Sequence, residues 1–87
     1  MNEEETIEQL RNEIDEIDLG LLGLIENRWR ATKKIGELKK KNDIECCDPV
    51  REKEIIKKIS EETSIDKEFV GKIFKQIIEH CREEEMK

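Results

Sequence analysis

IEQLRNEIDEIDLGLLGLIENRWRATKKIGELKKK, residues 7–41, is one unbroken pattern. Ile7, Leu10, Ile14, Ile17, Leu21, Leu24, Arg28, Ala31, Ile35 and Leu38 recur at alternating spacings of three and four. That is a heptad seam held for about five repeats. Thr6, with Gln9 three residues on, reads as a capping box that starts the helix. Lys39, Lys40 and Lys41 close it with the charge a helix C-terminus favours. At 1.5 Å per residue, a helix over about 6–41 is a rod of roughly 50 Å, preceded by residues 1–5, which are expected to be disordered.

Asn42–Cys47 is a short connection. Asp48 is a good N-cap, and Pro49 occupies the first helical position, where its missing N–H costs nothing. A second helix over about 49–62 carries Ile55, Ile56 and Ile59. Asp66 caps a third, over about 66–85, with Ile65 and Val70 placed as a hydrophobic staple. Its buried stripe is Val70, Ile73, Phe74, Ile77, Ile78 and Cys81. With no strand alternation, repeat or linker, the expected fold is all-α: a single domain over 1–87 of three helices, long, short and medium.

Of the 87 residues 46% are charged and only 34% apolar, which borders on the composition of a disordered chain. Yet the rod is apolar almost all round between Leu21 and Trp29, where Leu22 and Ile25 add a second stripe. Two shorter helices cannot cover it. Gly20 and Gly23 each cost about 1 kcal/mol inside a helix, a cost that fits the close approach of another backbone. An intertwined homodimer, the long helix paired with its symmetry mate, is the simplest closure. No run approaches the roughly 20 apolar residues of a membrane span, and the acidic start does not resemble a signal peptide. Three cysteines, two of them adjacent, suit a reducing compartment, so a cytoplasmic location is expected. A net charge of −6 and the lack of a basic recognition helix count against nucleic acid as a partner.

The residues that break the pattern carry the chemistry. Arg28 sits in the seam where an apolar side chain belongs, so it needs a carboxylate or an anionic ligand, unless it sets register or snorkels to the rim. Lys39 lies three full turns on, about 16 Å along nearly the same face, unless it is a plain C-terminal lysine. Arg11 is some 25 Å from Arg28 by the same rise; it is either an ordinary surface arginine or reaches the same small ligand from an antiparallel partner. Arg51 is a cation in the first turn of the second helix, where the dipole disfavours it, with Glu52 beside it. Glu85 continues the stripe of Cys81, where burial would favour a protonated, donating carboxyl; otherwise it is part of a frayed acidic tail. His80 and Cys81 diverge by about 100° on a helix and form no nucleophile–base pair. Cys46–Cys47 lacks the spacing of zinc or redox motifs. Neither a metal nor a covalent intermediate is expected. What remains is a cationic pocket for a small anion with two or more negative groups.

From Leu10-Arg11 through Ile17-Asp18, Asn27-Arg28, Ile35-Gly36, Lys39, Asp48-Pro49-Val50-Arg51-Glu52 and Phe74 to Ile77-Ile78-Glu79, the chain resembles the small, all-helical chorismate mutases of the AroQ class. The resemblance implies an isomerase of aromatic amino acid biosynthesis that converts chorismate to prephenate by an intramolecular Claisen rearrangement, without a cofactor. It implies a homodimer with two sites, each completed by Arg11 of the other subunit. Arg28 and that Arg11 would clamp the carboxylates of the substrate, and Lys39 would serve a carboxylate and the ether oxygen. Glu52 with the Asp48 backbone would hold the ring hydroxyl, supported by Arg51. Cys81 stands where a serine often lies, and Glu85 where a glutamine can donate to the ether oxygen. Two alternatives stay open: an isochorismate pyruvate lyase, which shares this fold and a similar pocket, and a noncatalytic helical dimerisation module.

Overall fold

The computed structural model describes residues 2–87 in three helices: α1 (Glu3–Lys41), α2 (Pro49–Glu62) and α3 (Lys67–Met86). The first helix starts earlier than the Thr6 capping box suggested. Asn2 caps it, its side-chain oxygen accepting from the Glu5 N–H at 2.8 Å, and Glu3, Glu4 and Glu5 fill the first turn. Asparagine is at least as good a cap as threonine, and three carboxylates favour the positive end of the helix dipole. Thr6 instead donates its hydroxyl to the Asn2 carbonyl at 3.2 Å. Residues 3–5, expected to be disordered, are therefore helical; Met1 lies outside the described residues.

The far end of α1 closes in a Schellman motif. Asp43 takes the left-handed conformation, φ 55°, where glycine is usual and an acidic or amide side chain is tolerated. The Ile44 N–H then reaches back to the Lys39 carbonyl at 2.8 Å, and the Asp43 N–H to that of Lys40 at 3.4 Å. This reversal folds the connection back along the helix. Asp48 and Asp66 cap α2 and α3, accepting from the Arg51 N–H and from the Glu68 and Phe69 N–H groups respectively.

α3 packs against both other helices, while α1 and α2 do not pack on each other. It runs parallel to the second half of α1, since Ile25 and Trp29 share a groove with Phe69 and Ile73, and Gly36 meets Glu85. It runs antiparallel to α2, since Glu52 pairs with Arg82 and Gly71 lies beside Ser60. The first half of α1 has no neighbouring element among the described residues: Leu10, Ile17 and Leu24 are 52%, 64% and 68% exposed. Apart from α1's own backbone and the flanking residues, nothing among the described residues lies within 4 Å of the positions a Cβ would take at Gly20 or Gly23. Only Ile78 and Cys81 of the α3 stripe are buried; Val70, Phe74 and Ile77 are half-buried, and Ile73 is exposed, contrary to its expected place in the buried stripe. One chain offers that stripe too little facing surface. The radius of gyration, 17.3 Å, far exceeds the ~12 Å of a compact globule of this length. None of the described helices is long and apolar enough to cross a membrane.

Gly36, buried where α1 meets α3, is the tightest of the four glycine positions. A Cβ there would stand 2.5 Å from the carbonyl oxygen of Glu85 and 3.1 Å from its Cα. Backbone cannot step aside as a flexible side chain can. Gly36→Ala gains about 1 kcal/mol of helix propensity and loses more to overpacking, so urea unfolding should show a net destabilisation of about 1–2 kcal/mol. An unchanged or raised midpoint would mean that the two helices separate freely.

Candidate functional site

Because α1 and α2 are held apart, a cavity of about 180 Å³ opens between them, floored by α3. Each helix lends it one stripe. α1 contributes Arg28 and Ile35 of the heptad seam, with Thr32 and Lys39 each four residues further on beside it. The start of α2 contributes Asp48, Arg51, Glu52 and Ile55, and the end of α3 contributes Ile78, Cys81, Arg82 and Glu85. The structure thus gathers Arg28, Lys39, Asp48, Arg51, Glu52, Cys81 and Glu85, the residues singled out from the sequence, around one space. Arg11 is not among them. It is exposed on the uncovered half of α1, as its distance from Arg28 along the helix requires.

Lys39 is the most constrained cation. Its Nζ lies 2.7 Å from Glu85 Oε1 and donates to the Cys46 carbonyl at 2.6 Å, so the Schellman reversal and the end of α3 converge on it. An ammonium has three N–H donors, and one remains for another acceptor. The hydrogen bond that Lys39 donates to Glu85 outweighs burial and holds Lys39 above the usual 10.5, so it is charged throughout the neutral range. The stability this contact lends is complete below that value and is lost as pH climbs through the raised one. Glu85 is therefore neither a frayed tail nor an isolated carboxyl among apolar neighbours; it is an ion-pair partner at the cavity wall.

Sequence reasoning missed Arg82. It lies in a polar run, Glu79-His80-Cys81-Arg82-Glu83-Glu84-Glu85, that looks solvated, although its spacing of four from Ile78 and three to Glu85 marks the same face. Arg82 Nη2 donates to Glu52 Oε1, tying α3 to α2, and its Nε is buried without a partner among the described residues. Arg28 and Arg51 make no ion pair among the described residues. Four cationic side chains against three carboxylates leave the cavity net positive within a chain of charge −6. Two cations satisfied internally and two not is an arrangement that binds an anion and also holds polar groups in fixed positions.

The Arg82–Glu52 pair is open to a direct check. Arg82→Met and Glu52→Gln should each lower the urea midpoint. The double variant should lose less than the two single losses combined, because each single leaves a half-buried charge without its partner. Additive losses would show that the pair does not act as a unit.

The family model described as chorismate mutase type II matches residues 10–86. The chain is 39% identical over 79 residues to the chorismate mutase of Methanocaldococcus jannaschii, covering 87% of this chain and 80% of that protein. It is 40% identical over 72 residues to the bifunctional chorismate mutase/prephenate dehydratase of Aquifex aeolicus. That alignment takes in 83% of this chain and 19% of the longer protein.

Proposed function

The chain belongs to the chorismate mutase type II family, and we propose that it converts chorismate to prephenate at the cavity between α1 and α2. The observation that carries this is the convergence of Arg28, Lys39, Asp48, Arg51, Glu52, Cys81 and Glu85 from three helices on one net-positive space. Both relatives bear the mutase name, which favours the mutase over the lyase. A noncatalytic module has no use for cations held open inside it.

The reaction is unimolecular, so the site needs to hold a folded conformer of a dicarboxylate and to stabilise the negative charge that grows on the ether oxygen as the carbon–oxygen bond breaks. Fixing the conformer supplies the proximity contribution; donors already in place supply the electrostatic one. Arg28, which has no internal carboxylate, takes one substrate carboxylate. The remaining N–H of Lys39 serves a carboxylate and the ether oxygen, with Glu85 and the Cys46 carbonyl fixing its position. Glu52, oriented by Arg82, accepts from the ring hydroxyl beside the Asp48 backbone, and Arg51 supports that end. Cys81 closes the floor. The second carboxylate falls to Arg11 of another copy.

That copy is an antiparallel homodimer mate, a reading supported by the bare apolar half of α1. It is supported too by a groove of about 560 Å³ along Ile25, Trp29, Phe69, Ile73 and Ile77 that one chain leaves unfilled. Chorismate consumption followed by its ultraviolet absorbance, with product identified as prephenate or as released pyruvate, tests the reaction. Arg28→Ala and Arg11→Ala should each lose at least about 100-fold in kcat/KM while keeping their helicity. Mixing the two inactive variants should restore activity, because a mixed dimer holds one intact site. No restoration would place Arg11 outside the partner's site.

A further inference from the structure

The connection between α1 and α2 carries adjacent thiols that the reaction does not use. Cys46 and Cys47 are both free and half-buried, and their Sγ atoms lie 3.5 Å apart. Neighbouring Cα atoms across a trans peptide are about 3.8 Å apart, short of the ~4.4–6.8 Å that disulfides span, so direct closure to an S–S bond is disfavoured. Closure through one added atom is not. Two bonds of about 2.3 Å, the length usual between thiolate and a soft ion, separate their sulfurs by about 3.5 Å at an angle of about 100°.

We propose that Cys46 and Cys47 form a chelating site for a trivalent thiophilic metalloid oxide of the arsenical class, R–As=O. Both sulfurs bond to arsenic as the arsenic–oxygen bond is given up, and the oxygen leaves as water carrying the two thiol protons. No electron is transferred. The number of ligands sets the selectivity: two sulfurs and the carbon of R complete the three bonds of arsenic(III), whereas among the described residues no group of three His, Cys, Asp or Glu side chains could hold a metal ion. The surroundings also suit an aryl substituent. Cys47 lines a cavity of about 460 Å³ whose walls include Pro49, Ile56, Ile78 and Met86.

The site communicates with the first cavity. The carbonyl of Cys46 is one of the two acceptors that hold Lys39, the other being Glu85, so a chelate that re-sets the Cys46–Cys47 peptide shifts the ammonium from its place. This link to the rate rests on the mutase reading; the chelate does not.

Phenylarsine oxide is the probe, applied to the full chain at neutral pH. The expected result is one arsenical per chain by mass spectrometry and the loss of two of the three titratable thiols. Binding should be reversed by 2,3-dimercaptopropanol and not by a monothiol. Cys47→Ser and Cys46→Ser, each checked for helicity, should bind at least about 100-fold more weakly, the usual gain from a second linked contact, while Cys81→Ser still binds one to one. Chorismate turnover should fall in step with occupancy. Undiminished binding in Cys47→Ser, or zinc ion held as tightly as the arsenical, would overturn the chelate. Full occupancy at an unchanged rate would overturn the link through Lys39. Tight binding to a chain that never turns over chorismate would support the chelate and contradict the mutase reading instead.

Discussion

At Gly36 the backbone of α1 comes closer to the last turn of α3 than any side chain at that position would permit. The contact sets the separation of the two helices along their shared length and brings Glu85 within ion-pair reach of Lys39, three residues beyond Gly36. Because α3 leans on α1 there and on α2 through Glu52 and Arg82, it holds the other two helices apart. The space between them is the cavity. A bulkier residue at position 36 would alter the packing and the placement of the Lys39–Glu85 pair together.

Electrostatics in this chain is a matter of placement rather than of total. A net charge of −6 would repel a dianion from a uniform surface, yet the cavity wall carries four cations against three carboxylates. Lys39 and Arg82 are already paired with Glu85 and Glu52, which fixes their positions before a ligand arrives. Arg28 and Arg51 have no carboxylate partner among the described residues, which is what leaves them open to the proposed ligand. Pre-positioned donors of this kind need no reorganisation when charge develops, which is why a reaction without nucleophile or proton transfer can be accelerated by them.

Much of this was legible in the residues. The alternating three-and-four spacing identified the rod; Asp48 with Pro49 and Asp66 marked the starts of the two later helices, and both carboxylates accept the expected backbone N–H groups. The start of α1 lies before Thr6 because Asn2 and the three glutamates after it cap and extend a helix as well as Thr6 does. Its end was legible only as a run of lysines. The reversal depends on Asp43 taking a left-handed conformation that sequence favours but does not require. Arg82 was overlooked because a charge in a charged run looks solvated until its helix acquires neighbours.

Periodicity is local, so the sequence by itself determined the three helices, the face each turns inward, and the cations and carboxylates spaced along those faces. It also determined that one chain is too poor in apolar surface to cover the first half of α1, since that needs only a count of residues against the length of a rod. Which charge meets which was decided only in three dimensions. Lys39 with Glu85 and with the Cys46 carbonyl, and Glu52 with Arg82, depend on helix separation and crossing. Those are set by a backbone contact at Gly36 and by the turn after Lys41, neither of which has a periodic signature.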